Sequence, residues 1–236
     1  SAGSGPGSGS GPGPGSGPGS GPGSGGSAPR LAILASEGEV RVGLTALGAA
    51  PEPVRASLAS LVEEVRSLLG PAVYGVDGDT LEGVVSDMLR ARGLRLALAE
   101  SLTGGMLASR LVGVPGASEI LLAGYVTYSP EAKIRDLGVS PETIERHGLV
   151  SRQTAMAMAE GARARAGADV ALSTTGEAGP LPAETEVGRV CVGLAWEGGT
   201  TSWEIATAGS REMIRRRTCT WALNHLRLWL LEASAG

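Results

Sequence analysis

The residues best suited to do chemistry lie in the segment Ala99-Glu100-Ser101-Leu102-Thr103-Gly104-Gly105. A strand running into a helix through a hydroxyl and two glycines can set a nucleophile beside free backbone N–H groups. Gly104 and Gly105 also let a ligand come close to the main chain. A plainer use exists for the same residues, since Ser101 or Thr103 could simply cap the helix.

Lys133 shifts that balance. The chain has 20 Lys and Arg residues together, and Lys133 is its single lysine. A guanidinium stays charged, whereas an ammonium can be neutralised by burial. A base for a serine hydroxyl must be neutral, so lysine can serve and arginine cannot. The competing reading is that one lysine is an accident of an arginine-rich composition. No histidine is better placed. His147 ends a short helix beside Gly148, a setting that favours the charged form, and His225 sits among Leu223, Leu226 and Leu228. A Ser/Lys pair is therefore favoured over a Ser/His/Asp triad. Neither the histidines nor Cys191 and Cys219 show metal-ligand spacing, so no metal, cofactor or disulfide is expected.

The elements that must position these residues follow from periodicity. Residues 1–27 are almost wholly Gly, Ser and Pro and read as a linker outside the fold. Residues 28–76 read as a small α+β unit. It has strands at Leu31–Ala35 and Val40–Leu44, a helix from Pro53 with Leu58, Leu61, Val62, Val65, Leu68 and Leu69 on one face, and a short strand at Ala72–Val76. So short a unit must lean on a neighbour. The turn Asp77-Gly78-Asp79 marks the boundary of a second unit, 77–236. There a helix capped by Thr80 leads to a strand over Leu94–Ala99, and Ser101 opens the next helix. A strand at Gly124–Tyr128, helices at Pro130–Leu137 and Pro141–His147, and a long helix from Ser151 to Ala166 follow. A strand at Asp169–Thr174 comes next. Val187–Trp196 and Thr200–Thr207 form a hairpin across Glu197-Gly198-Gly199, and a last helix runs from Ser210 to Leu231. The expected fold is three-layer α/β/α with a mixed sheet.

Composition agrees with that class. Hydrophobic residues make up 42% with no Phe, so Leu, Val, Ile and Ala must fill the core. A net charge of −4 argues against a general affinity for nucleic acid or anionic membrane. With no apolar run of spanning length and no signal peptide visible, a cytoplasmic location is expected.

Four ordered motifs add a resemblance. Together with the Ser101 segment, Val114-Pro115-Gly116-Ala117-Ser118, Val126-Thr127-Tyr128-Ser129-Pro130-Glu131-Ala132-Lys133 and Thr175-Gly176-Glu177-Ala178-Gly179-Pro180 resemble the C-terminal domain of CinA, the competence/damage-inducible family. Its stand-alone relatives are nicotinamide-nucleotide amidases. Residues 28–76 resemble that family's KH-type linker domain, whereas its N-terminal molybdopterin-binding-like domain has no counterpart in this sequence. The KH-like segment has no Gly-x-x-Gly clamp, and its acidic residues outnumber its arginines, so packing or dimer contact is expected rather than RNA binding.

The resemblance implies hydrolysis of nicotinamide mononucleotide to nicotinate mononucleotide and ammonia, without metal or cofactor, by a homodimer. It places the nucleophile on Ser101 and the base on Lys133, with Tyr128 bonding the pair or relaying its proton. Thr103, Gly104 and Gly105 would supply oxyanion or phosphate contacts, Thr175 and Gly176 the site loop, and Arg211 or Arg215 a partner for the phosphate. Three departures accompany it: Leu102 for a usual Cys, Pro130 for a usual Asn, and Glu177, Glu184 and Glu186 in a loop where relatives carry Ile, glycines and a basic residue. Carboxylates there would oppose an anionic substrate, so weakened deamidation is expected. The rival from another class is a nucleotide-binding module that has lost turnover.

Overall fold

The computed structural model describes residues 27–48, 50–179 and 186–233. Two strands, β1 (Ser27–Ser36) and β2 (Glu39–Leu47), form an antiparallel hairpin, followed by helix α1 (Pro51–Leu69) and a 3-10 turn over Gly70–Ala72. The second unit runs α2 (Leu81–Ala91), β3 (Leu96–Glu100), α3 (Met106–Val112), β4 (Leu121–Val126), α4 (Pro130–Leu137), α5 (Pro141–His147) and α6 (Arg152–Ala166). It continues with β5 (Val170–Gly176), β6 (Arg189–Trp196), β7 (Gly199–Ala206) and α7 (Arg211–Glu232). The sheet order is β4-β3-β5-β6-β7, with β4, β3 and β5 parallel and the last two strands antiparallel. Helices cover both faces, the α/β/α arrangement of a mixed sheet.

Alternation along the strands explains the two layers. Leu96, Leu98, Val170, Leu172, Val192 and Leu194 point to one face and meet α2, α3 and α7. Ala97, Ala99 and Ala171 point to the other, where their small side chains let α6 lie close through Met158 and Ala162. Within α6, Gly161 faces the carbonyl of Leu137, where a Cβ would collide. That close approach seats α4, and with it Lys133, against the sheet's alanine face.

The small unit is built differently. No residue of α1 is buried, and Ile33, Leu34 and Val40 of the hairpin are each more than 60% exposed (67%, 65% and 64%). Its attachment to the larger unit is local. Glu37 pairs with Arg216 at 3.1 Å, Tyr74 donates to Glu39 at 2.7 Å while packing on the main core, and the buried Arg227 donates to the Pro71 carbonyl.

Several boundaries differ from expectation. Ala72–Val76 is not a strand, because Tyr74 turns inward to the larger unit and the hairpin stays two-stranded. The strand expected at Gly124–Tyr128 is Leu121–Val126, because Ser129 already caps α4 by accepting from the Ala132 N–H. Pro130 falls at the first position of that helix, where a missing N–H costs nothing. No helix among the described residues is long and apolar enough to cross a membrane.

Candidate active site

Three parallel strands end together, and the loops after them form the site. The chain goes from β3 to β4 on one side and returns to β5 on the other, so strand order reverses at the carboxyl end of β3. That is where open α/β sheets leave a crevice for ligands. Ser101 is the first residue beyond β3, Thr127 the first beyond β4 and Glu177 the first beyond β5.

Ser101 does not open a helix. Residues 101–105 are a turn, and α3 begins only at Met106. Gly104 and Gly105 both lie in the left-handed region, at φ 58° and 91°, which a side chain at either position would strain. The helix start is also already filled. The buried carboxylate of Glu100 accepts from the N–H groups of Gly105, Leu107 and Ala108 at 2.9, 3.0 and 2.8 Å. Gly104 donates to the Ser101 carbonyl at 3.1 Å. Neither glycine thus has a free amide for substrate oxygen, which corrects the expected oxyanion or phosphate role of Gly104 and Gly105. The N–H groups of Leu102 and Thr103 make no hydrogen bond among the described residues. Neither Ser101 nor Thr103 is the cap: the Thr103 hydroxyl is wholly buried against that of Thr174 at 2.7 Å.

Lys133 reaches this turn from α4. Its Nζ lies 3.0 Å from Ser101 Oγ and donates to the Thr127 carbonyl at 2.7 Å, and the residue is only 2% exposed. Burial alone, with no charged neighbour contributing, pushes its pKa down to about 8. A neutral fraction on the order of a tenth therefore exists at pH 7, and a neutral amine can accept the serine proton.

The other expected residues fall elsewhere. Tyr128 is 62% exposed, and its hydroxyl accepts from Arg211 at 2.7 Å rather than touching the pair. Arg211 also donates to the Gly179 carbonyl at 2.8 Å, so this exposed guanidinium spans the loops after β4 and β5. Arg215 is not free for a phosphate. Its Nε and one terminal nitrogen donate to the carbonyls of Leu102 and Thr103 at 2.9 and 2.8 Å, clamping the Ser101 turn from behind. Thr175 is buried, its hydroxyl donating to the Leu149 carbonyl at 2.9 Å, and it serves the loop before α6 instead of facing substrate. Gly176 lies against Leu102, where a Cβ would come within 3.1 Å of Cδ1. Leu102 in turn fills a small cluster with Ala178, Val190 and Ile214, so its departure from Cys is a matter of packing.

The Glu177 carboxylate folds back to accept from the Gly179 N–H at 2.8 Å, Glu186 is exposed, and Glu184 lies outside the described residues. Two residues were missed as members of the site. Glu100 stood inside the quoted motif, and a carboxylate next to a strand–turn–helix junction was the available signal. Thr127 carried no signal beyond its place before Tyr128.

Together these features describe a mixed-sheet α/β domain that carries a buried Ser–Lys pair at the carboxyl ends of its parallel strands. Residues 78–230 match the model of the CinA C-terminal domain, and residues 23–75 match that of the damage-inducible protein CinA KH domain. The chain belongs to the CinA family. A CinA-like protein of Kosmotoga olearia is 40% identical over 205 residues, covering 86% of this chain and 50% of its own length. Another from Frankia casuarinae is 43% identical over 203 residues, covering 86% of this chain and 47% of its own length. The chain spans about half the length of such curated relatives. Among solved structures, the competence damage-inducible protein A (ComA) of Klebsiella pneumoniae superposes with a TM-score of 0.62 at 37% identity. That match covers 64% of this chain and 95% of the other. CihA from Agrobacterium tumefaciens gives a TM-score of 0.59 at 36% identity, covering 65% and 98%.

Proposed function

We propose that the chain is an amide hydrolase that converts nicotinamide mononucleotide and water to nicotinate mononucleotide and ammonia. The observation that carries this reading is the chain's single lysine, buried 3.0 Å from the hydroxyl of Ser101. Neutral Lys133 takes the Ser101 proton as Oγ bonds to the carboxamide carbon. The tetrahedral oxyanion is met by the N–H groups of Leu102 and Thr103, the former one residue beyond the nucleophile. Lys133 then gives its proton to the departing amine, so ammonia leaves and an acyl-serine ester remains. Water, deprotonated by the same lysine, hydrolyses the ester and restores Ser101. The phosphate is met at the entrance by Arg211, the exposed cation there, which exchanges its bond to the Tyr128 hydroxyl for one to phosphate oxygen. The 3.0 Å pair, the depressed Lys133 pKa and the family's amidase members support this reading.

Ser101→Ala tests it by ammonia release. Turnover should fall by about four orders of magnitude while thermal stabilisation by the nucleotide persists. Wild-type protein that is stabilised by the nucleotide yet releases no ammonia would instead make this a binding module.

A further inference from the structure

One buried polar side-chain atom has no hydrogen-bond partner among the described residues, the hydroxyl oxygen of Thr127. The residue is 1% exposed, so no open solvent compensates it. A buried unpaired hydroxyl is costly, and such orphans call for an explanation. Its backbone is held at both ends. The Thr127 N–H donates to the Glu100 carbonyl at 2.8 Å, and its own carbonyl accepts from Lys133 Nζ at 2.7 Å. The first of these bonds continues the β3–β4 pairing by one step. Because Ala99 pairs with Tyr125, and both pack on the face covered by α6, Thr127 lies beside Ser101 on that face. The orphan hydroxyl therefore belongs to the residue that already grips the lysine.

The need for it appears when protons are counted. A neutral amine has two N–H bonds and a lone pair. It can donate one proton to the Thr127 carbonyl and accept from Ser101, which leaves its second N–H without an acceptor. An ammonium has three N–H bonds and no acceptor. Among the described residues two acceptors meet them, the Thr127 carbonyl and Ser101 Oγ. We propose that Thr127 is a positioning residue, whose hydroxyl turns to accept the third proton of the Lys133 ammonium. This rests on the Ser101–Lys133 reading above. In that step the Ser101 O–H bond breaks and a third N–H bond of Lys133 forms, aimed at Ser101 Oγ, while Thr127 Oγ1 accepts the N–H held by neither Ser101 nor the Thr127 carbonyl. That bond is stronger to an ammonium than to a neutral amine, so the hydroxyl favours the state through which the reaction passes.

The single lysine allows a direct test. Protein labelled with 15N-lysine gives one Nζ resonance, whose pH titration reports Lys133 without any turnover. Thr127→Val keeps the side-chain shape and removes the acceptor, and Thr127→Ala removes it without adding a methyl group. Either should lower the proton affinity of Lys133 about tenfold, the scale of one hydrogen bond to a charged group. At about pH 9 and above, where the amine is largely neutral in wild type and variants alike, the same substitutions should lower kcat about tenfold with KM unchanged, and Thr127→Ser should restore both. A midpoint that does not move in Val or Ala relative to wild type overturns the proposal. A midpoint that moves in protein releasing no ammonia upholds the Thr127–Lys133 contact and overturns the amidase reading instead.

Discussion

The floor of the site and its entrance are built on opposite principles. On the floor, Ser101, Lys133, Glu100 and Thr103 are all at most 8% exposed, and Glu100, Arg215 and Thr174 hold the turn from three directions. At the entrance, Arg211, Tyr128 and the Glu177–Gly179 loop meet through two hydrogen bonds from one exposed guanidinium. Burial depresses the pKa of a lysine and holds donors where charge will develop. Exposure lets a cation exchange one acceptor for another at little cost, because water screens the change. The proposed hydrolysis assigns chemistry to the floor and recognition to the entrance, and the two should then respond differently to substitution.

The largest effect should come from Lys133. Lys133→Arg keeps the charge but offers no base, so activity should collapse about as far as in Ser101→Ala. In the wild type the rate should rise with pH through about 8 as the amine loses its proton. Stability should follow the same group. Its folded pKa lies below the unfolded value, so between about 8 and 10.5 the unfolded chain binds the extra proton and stability rises with pH. Below about 8 the buried ammonium costs ~3 kcal/mol. Lys133→Met should therefore raise the melting temperature at pH 7 and lose that alkaline rise. A Lys133→Arg enzyme that still releases ammonia would remove the floor's distinction altogether.

At the entrance a smaller effect is expected. Arg211→Ala should raise KM for the nucleotide about tenfold and leave kcat nearly unchanged, the scale of one charge-assisted contact. Tyr128→Phe removes only the resting acceptor of Arg211 and should alter KM a few-fold or less. A collapse of kcat in Tyr128→Phe would move Tyr128 from the entrance onto the proton path.

Smallest of all should be Glu177→Ile. Its carboxylate is spent on the Gly179 amide, so the ratio of KM for the nucleotide to KM for its unphosphorylated riboside should change less than about threefold. A tenfold or larger gain for the nucleotide would show that this charge does oppose the phosphate.

Much of this was legible in the chain itself. Periodicity, caps and prolines located α2, α4, α5, α6 and α7, because Thr80, Ser151 and Ser210 act locally, on amides three residues ahead, and Pro130 and Pro141 open α4 and α5. A lone lysine among arginines singled out Lys133 on chemical grounds, since only one of those cations can be neutral. Tertiary structure decided the rest. Arg211 and Arg215 are the same residue type four positions apart on one helix. Yet one reaches the entrance and the other clamps Leu102 and Thr103, a division set by what α7 packs against. Glu100 fills the start of α3 because the strand ends under that helix, and Thr127 stands beside Ser101 because two strands distant in sequence are paired. Residue type determines which protonation states and backbone angles are available. Which amide is free, which cation is exposed and which hydroxyl is left unpaired depend on segments that meet only when the sheet assembles.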